Sequence, residues 1–583
     1  NLTESDIMVD SPTNNFCTMN PLASGSAAEP DTNTYTTKEG NLESKWTGIA
    51  SAKSYATIAP TDGKWYWEFF IKTQAETARA YVGLCEFEDC DINGTGQSGD
   101  SNYHIAVGNY SRLQAYGNEF DNVYPTPAQY DVYSIAIDWS ASPSKFWFRI
   151  NGGAWQGGGN PATGATPTKS YNKTIANASM MPYHGSGSGS ASNVSEIVFN
   201  FGQDSSFAGN KTSQGNQDGN DIGDFFYAPP SGFLALCTKN LPDVDVIPSE
   251  HFNPALYSGD DGTQAITGVG FQPDFTWIKC RSHGGNDSFE HILTDAVRGV
   301  NKTLSSDKTA AESTNNATGY LSVFGTDGFT VTGGDAPNGV GRTYVAWNWK
   351  AGGAASSNTN GTITSSVSAN PSAGFSIVSY TGTGANATVG HGLSKTPEMI
   401  IVKNRITTDE PWFVYSRADP TDFLRLNETD ATADNAAIWN DTAPTSSVFS
   451  IGNNTGINGS SQAHIAYCFH SVDGYSKVGS YDGNLNDDGT FVHCGFKPAW
   501  VMIKRTENAD HWLIWDAKRN TFNVMDTVLK ANDTSADNSD TAYRIDATSN
   551  GFKLRDDFGG INASETYIFL AFAETPFKYS NAR

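Results

Sequence analysis

The chain is 583 residues long, enough for several hydrophobic cores, since single cores stop growing near ~250–300 residues. Aromatics make up 12% of it and charged residues 17%, with 58 Gly, a balance that excludes global disorder. The net charge of −25, from 37 basic and 62 acidic side chains, repels phosphate backbones and anionic surfaces, so no nucleic-acid partner is expected. No apolar run approaches the ~20 residues that span a bilayer, so no membrane insertion is expected either. No signal peptide is visible. The chain opens at Asn1 and reads as a fragment or a processed product.

Residues 1–30 are polar and aperiodic and read as an N-terminal connector. Residues 31–235 form a first globular unit. There Lys64–Ile71 and Lys145–Ile150 read as strands bounded by Gly, Asn or Asp turns. Pro229-Pro230-Ser231-Gly232 lies near its end, and Asn240-Leu241-Pro242-Asp243 opens the next region.

The second half repeats internally. Three segments carry Pro, then an apolar strand, then Lys: Pro273 with Lys279, Pro397 with Lys403, and Pro498 with Lys504. Arg281, Arg405 and Arg505 follow. An aromatic landmark recurs at Phe289, Trp412 and Trp512, and a Phe strand at Phe329, Phe449 and Phe552. A closing strand begins at Tyr344, His464 and Tyr567. Landmarks holding register three times mean three copies of one β-rich module. The boundaries are 240–352, 375–477 and 478–583, with 353–374 as a small-residue linker. Helical spacing predicts short helices within Phe289–Val297 and Asp516–Ala531. Short strands with Gly-rich turns make the chain all-β and multidomain, built of sandwich-like modules. A string of such modules predicts an elongated object.

Few residues invite a chemical reading. Lys279, Lys403 and Lys504 read as edge or outward-facing strand charges, because catalytic groups are rarely copied into every repeat. Gly185-Ser186-Gly187-Ser188-Gly189 fits a nucleophile elbow as letters, but its Gly/Ser run reads as a loop. Asp482–Gly489 is oxygen-rich, yet Asp487 stands where a calcium loop needs Gly, so it reads as a turn. Asp218-Gly219-Asn220-Asp221 reads the same way. Cys17, Cys85, Cys90, Cys237, Cys280, Cys468 and Cys494 form no zinc-like cluster and read as buried hydrophobes of a protein assembled in a reducing cytoplasm. The sequons at Asn172, Asn177 and Asn301 arise from composition. Trp155, beside a turn, reads as a cap on the core, with sugar stacking as the alternative. No catalytic, metal or cofactor site is assigned, and the binding residues stay open.

Between residues 31 and 235 come Gly63-Lys64-Trp65-Tyr66-Trp67-Glu68, Tyr81-Val82-Gly83-Leu84, Asp131–Asp138, Lys145–Trp155 and Val198-Phe199-Asn200-Phe201-Gly202-Gln203. In that order they resemble a SPRY domain, a concanavalin-like β-sandwich, which implies ligand binding through loops and no catalysis. Nearly the whole chain also resembles large tail-fibre-type proteins of phages infecting marine bacteria and cyanobacteria. The residues are Asp10–Phe16, Asn20-Pro21-Leu22, Pro229–Phe233, Leu236-Cys237, Asn240-Leu241-Pro242, Gly270–Phe275 and Tyr344–Lys350. That resemblance implies a non-catalytic virion protein, a tail fibre or a fibre-like appendage on tail or head. Its partners would be other virion proteins and a host-surface glycan or protein, and its assembly a homotrimer. Two rivals stand beside it. A polysaccharide-degrading tailspike-like enzyme needs two carboxylates about 5–10 Å apart; a cellular surface adhesin needs an upstream secretory signal.

Overall fold

Alternating apolar runs between turn residues become strands almost throughout. The computed structural model describes residues 14–26, 33–48, 52–74, 79–86, 104–108, 112–115, 118–120, 124–125, 128–173, 179–187, 194–282, 289–539 and 541–579. Among these the fold is all-β, and no helix exceeds four residues. The chain divides into two units, Asn1–Asp243 and Val244–Arg583.

The first unit is a sandwich of a seven-stranded and an eight-stranded sheet. Its central strand, Lys64–Gln74, is buried from Trp65 to Ile71. Alternate side chains point to opposite faces, so both faces must be covered. Phe69 stacks on Tyr133 and lies near Phe199, which in turn lies near His184 of the other sheet. Tyr66 and Phe70 pack instead under Phe207, Phe225 and Phe233 of the irregular segment 201–235. Glu68 pins that segment: its carboxylate accepts from the Phe226 and Tyr227 N–H groups at 2.8 and 2.7 Å. Residues 14–26 are no connector. Phe16 bridges to Cys237, and Met19–Ser26 pairs with Ala52–Ala56, because Phe16, Cys17, Met19 and Ala23 bury. Residues 1–13 and 27–30 lie outside the described residues. Gly185 sits mid-strand between Lys53 and Tyr81, not in a loop; Ser188 and Gly189 lie outside the described residues.

In the second unit each repeat builds one antiparallel sheet in the same order. Repeat one runs Phe252–Ser258, Thr343–Trp349, Phe275–Cys280, Ile292–Asp295. Repeat two places Phe375–Thr381, Ala463–Phe469, Met399–Asn404 and Trp412–Ser416 in those positions, and repeat three places Ser476–Asp482, Thr566–Pro576, Phe496–Arg505 and Leu513–Asp516. A smaller sheet covers one face in each. The segment 353–374 is not a bare linker: Ser356–Asn358 and Ser365–Asn370 are strands that extend the repeat-two sheet. The two expected helices are absent. Ile292–Asp295, Leu513–Asp516 and Thr527–Lys530 are strands, because ladder pairing with neighbouring strands overrides local helical spacing.

The repeats do not form an elongated string. One face of each sheet packs into its own small core, and the other packs into a core shared by all three. Ring contacts cross every boundary: Phe275 to Tyr467 at 4.4 Å, Trp349 to Trp500 at 5.8 Å, Phe469 to Phe572 at 6.1 Å.

Candidate functional site

The recurring lysines lie in the seams between repeats. Each sits mid-sheet, two residues beyond a shared-core side chain (Trp277, Ile401, Met502), so strand alternation turns it inward. All three are fully buried, not outward-facing edge charges. Lys279 Nζ donates to the Thr534 carbonyl at 2.9 Å, Lys403 Nζ to Thr309 at 3.2 Å, and Lys504 Nζ to Thr429 at 3.2 Å. Repeat one thus reaches three, two reaches one, and three reaches two: the contacts close a ring. Burial pushes each ammonium down to about 8.

The same cycle recurs in the backbone. Glu312 N–H donates to Arg405 O, Thr432 N–H to Thr506 O, and Asp537 N–H to Arg281 O. It recurs again where Trp412 Nε1 donates to Ser305 O and Trp512 Nε1 to Arg425 O. In repeat one that place belongs to His291, two residues past the expected landmark Phe289, with Nε2 3.0 Å from Lys530 O. Two seams also hold a buried ion pair, Asp295–Arg298 and Asp516–Arg519, each met by a donor from the next repeat, Tyr467 and Trp347. By strand register the third seam carries Ser416 and Leu570 at those positions, so the charge and the donor facing it are lost together.

A second recurring feature is a loop clamp. The amides of Asn338, Asn458 and Asn562, all buried, tie the loop after the first strand of each repeat. Their Oδ1 atoms accept from Asp260, Thr383 and Asn484 N–H. Their Nδ2 groups donate back, for Asn562 to Asn484, Asn486 and Asp556. Asp482–Gly489 is therefore a clamped loop, and Asp488 pairs with Lys553 and Arg555. Asp218 likewise saturates its carboxylate on Asn220, Ile222, Ala235 and Asn240 donors. Among the described residues no group of three metal-ligating side chains converges. Trp155 packs at the edge of the cluster around Tyr66 and Phe225, with the Arg149 guanidinium 4.7 Å above its ring. The six described cysteines are buried; Cys90 and Asn177 lie outside the described residues. No described helix is long and apolar enough to cross a membrane.

Residues 247–576, more than half the chain, match the model of a family described as a domain of unknown function, DUF7483. The chain belongs to the DUF7483 family. The matched stretch runs through all three repeats, so one DUF7483 domain corresponds to one ring of repeats. No curated protein matches the chain. Among solved structures it is similar to the SPRY domain of human HERC1, at 16% identity and TM-score 0.21, over 29% of this chain and 95% of that one. It is similar to the TRIM65 PSpry domain at 8% identity and TM-score 0.21, over 32% and 89%. It is also similar to the carbohydrate-binding module CBM66 from Bacillus subtilis at 8% identity and TM-score 0.18, over 30% and 91%.

Proposed function

We propose that this DUF7483 protein is a non-enzymatic virion component of a bacteriophage, a tail fibre or fibre-like appendage that attaches the particle to its host. The observation that carries the reading is the resemblance to tail-fibre-type proteins, whose marking residues run from Asp10–Phe16 to Tyr344–Lys350. The three-repeat body is consistent with it: a shared core and clamped loops make a rigid support, and rigid supports carry recognition loops well. The first unit is read as a SPRY-like sandwich. The partners are other virion proteins and a host-surface glycan or protein. Assembly as a homotrimer would multiply weak sites, gaining ~10²–10⁴ in apparent affinity.

Immunogold electron microscopy with antibody to this chain tests the reading, on purified particles and on uninfected cells. Gold at an appendage of the particle is expected. Gold on uninfected cells, with none on particles, would leave the surface-adhesin alternative in its place.

A further inference from the structure

The three clamps allow the loops to be compared position by position. Asp261, Gly384 and Leu485 are equivalent, since each donates its N–H to the carbonyl of its clamp Asn. All three have left-handed backbone, with φ of +62°, +74° and +52°. Asp and Gly suit that region, whereas a bulky side chain is strained there. Gly334, Asn454 and Phe558 are equivalent too, each accepting from the clamp Asn N–H. Asn454 uses its side chain to accept from Gly456 N–H, a bond Phe558 has no means to make. At both positions repeat three carries a large apolar residue, at 485 where Asp and Gly suit the left-handed backbone and at 558 in place of Gly334 and the capping Asn454. Both side chains face water, Leu485 at 59% exposure and Phe558 at 40%.

Single exposed apolar residues are ordinary. This pair differs because it flanks one residue, Asn562, and because its ring is seated. Phe558 packs edge-on against Tyr543 at 5.1 Å, and a Cβ on Gly560 would meet the ring at 2.8 Å. Asp487 and Asp557 stand beside them in the same two loops. Both are exposed and make no hydrogen bond or ion pair among the described residues.

We infer that this corner of repeat three is a saccharide-binding site for neutral glycans. An aromatic face is electron-rich and attracts the C–H face of a pyranose. Ionised carboxylates only accept hydrogen bonds, which suits sugar hydroxyls. Asp488 is balanced by Lys553 and Arg555, and Asp556 by Arg544, which leaves Asp487 and Asp557 as the unpaired charges of the two loops among the described residues, so anionic sugars are repelled. The assignment rests on the attachment reading and names the class of receptor that the chain takes.

The test uses the full chain on an array of immobilised neutral and anionic oligosaccharides, followed by calorimetric titration with the strongest neutral binder. Neutral glycans should be bound in preference to anionic ones. Phe558→Ala and Leu485→Gly should each weaken binding about tenfold or more. Leu485→Gly should not lower the melting temperature, because Gly suits that backbone. Three outcomes overturn the site: no neutral glycan bound, preference for anionic glycans, or binding that survives both substitutions. Binding of a Leu/Lys peptide that depends on Phe558, without glycan binding, would make the corner a protein-docking surface and equally overturn it. Gold on the virion appendage alongside any of these would leave the attachment reading intact.

Discussion

Moving an ammonium group out of water costs several kcal/mol, and this chain does so three times. Lys279, Lys403 and Lys504 exchange hydration for neutral carbonyl oxygens, and none forms an ion pair among the described residues. Burial therefore dominates and lowers each to about 8, against 10.5 for the ordinary group. Between those values the unfolded chain binds more protons than the folded one, so stability rises with pH across that window. The cost of each lysine is full below about pH 8 and fades as pH approaches 10.5. Lys403→Met removes the titrating group and leaves the Thr309 and Asn404 carbonyls without their donor at every pH. Raising the pH from 7 to 10 should then favour the wild type over Lys403→Met by about 1–3 kcal/mol. Urea denaturation at the two pH values measures this. An unchanged difference would mean that the charged amine is not disfavoured in its seam.

Within each repeat the clamp Asn ties together elements that the sheet alone does not join. Asn458 accepts from Thr383 N–H and donates to Ala385 and Gly452 carbonyls, and Tyr380 Oη donates to the carbonyl of the preceding Ile457. Asn458→Ala leaves the Thr383 N–H and the Ala385 and Gly452 carbonyls without their partner, each worth ~1 kcal/mol. A loss of about 2–4 kcal/mol is expected from chemical denaturation, with the strands unchanged by circular dichroism. A loss under about 0.5 kcal/mol, the level of ordinary surface changes, would show that the loop holds itself. Much at this scale was legible in the sequence. The Pro strands, the closing strands and the threefold register follow from apolar runs, which report strands directly. The seam chemistry was not. Lys279 was read as an edge charge because one residue looks the same on an edge or a central strand. The clue was the run Phe275–Cys280, apolar on both parities, which means both faces are covered. His291 escaped because it replaces a Trp by donor geometry, not by resemblance. Ser365–Asn370 escaped because small polar residues resemble a linker until a neighbouring edge pairs with them. The Leu485–Phe558 corner was invisible for a related reason: its oddity appears only against the backbone of its two equivalents.

At the level of the whole second unit, closure decides how the repeats depend on one another. A Cβ on Gly474 would lie 2.9 Å from Val244 and 3.1 Å from Pro576, so the start of repeat one and the end of repeat three meet at the junction of two and three. Trp347, Trp349, Trp500 and Phe572 form one aromatic cluster from repeats one and three. Without repeat three, Phe252, Trp347, Trp349 and Phe469 would lose ring partners across the shared core. Large aromatics bury 150–250 Å² each, so at ~25 cal/mol per Å² such a loss outweighs the ~5–15 kcal/mol that holds a domain folded. Residues 244–579 alone should therefore unfold in one cooperative transition, with calorimetric and van't Hoff enthalpies equal. Residues 244–477, two repeats with every internal strand intact, should fail to fold, and should bind the dye ANS if they remain soluble. Independent modules in a string would behave oppositely, since each would keep its own core and melt by itself. A sharp transition from 244–477 would thus mean that the small outer cores suffice, and that the buried lysines decorate an assembly rather than close it.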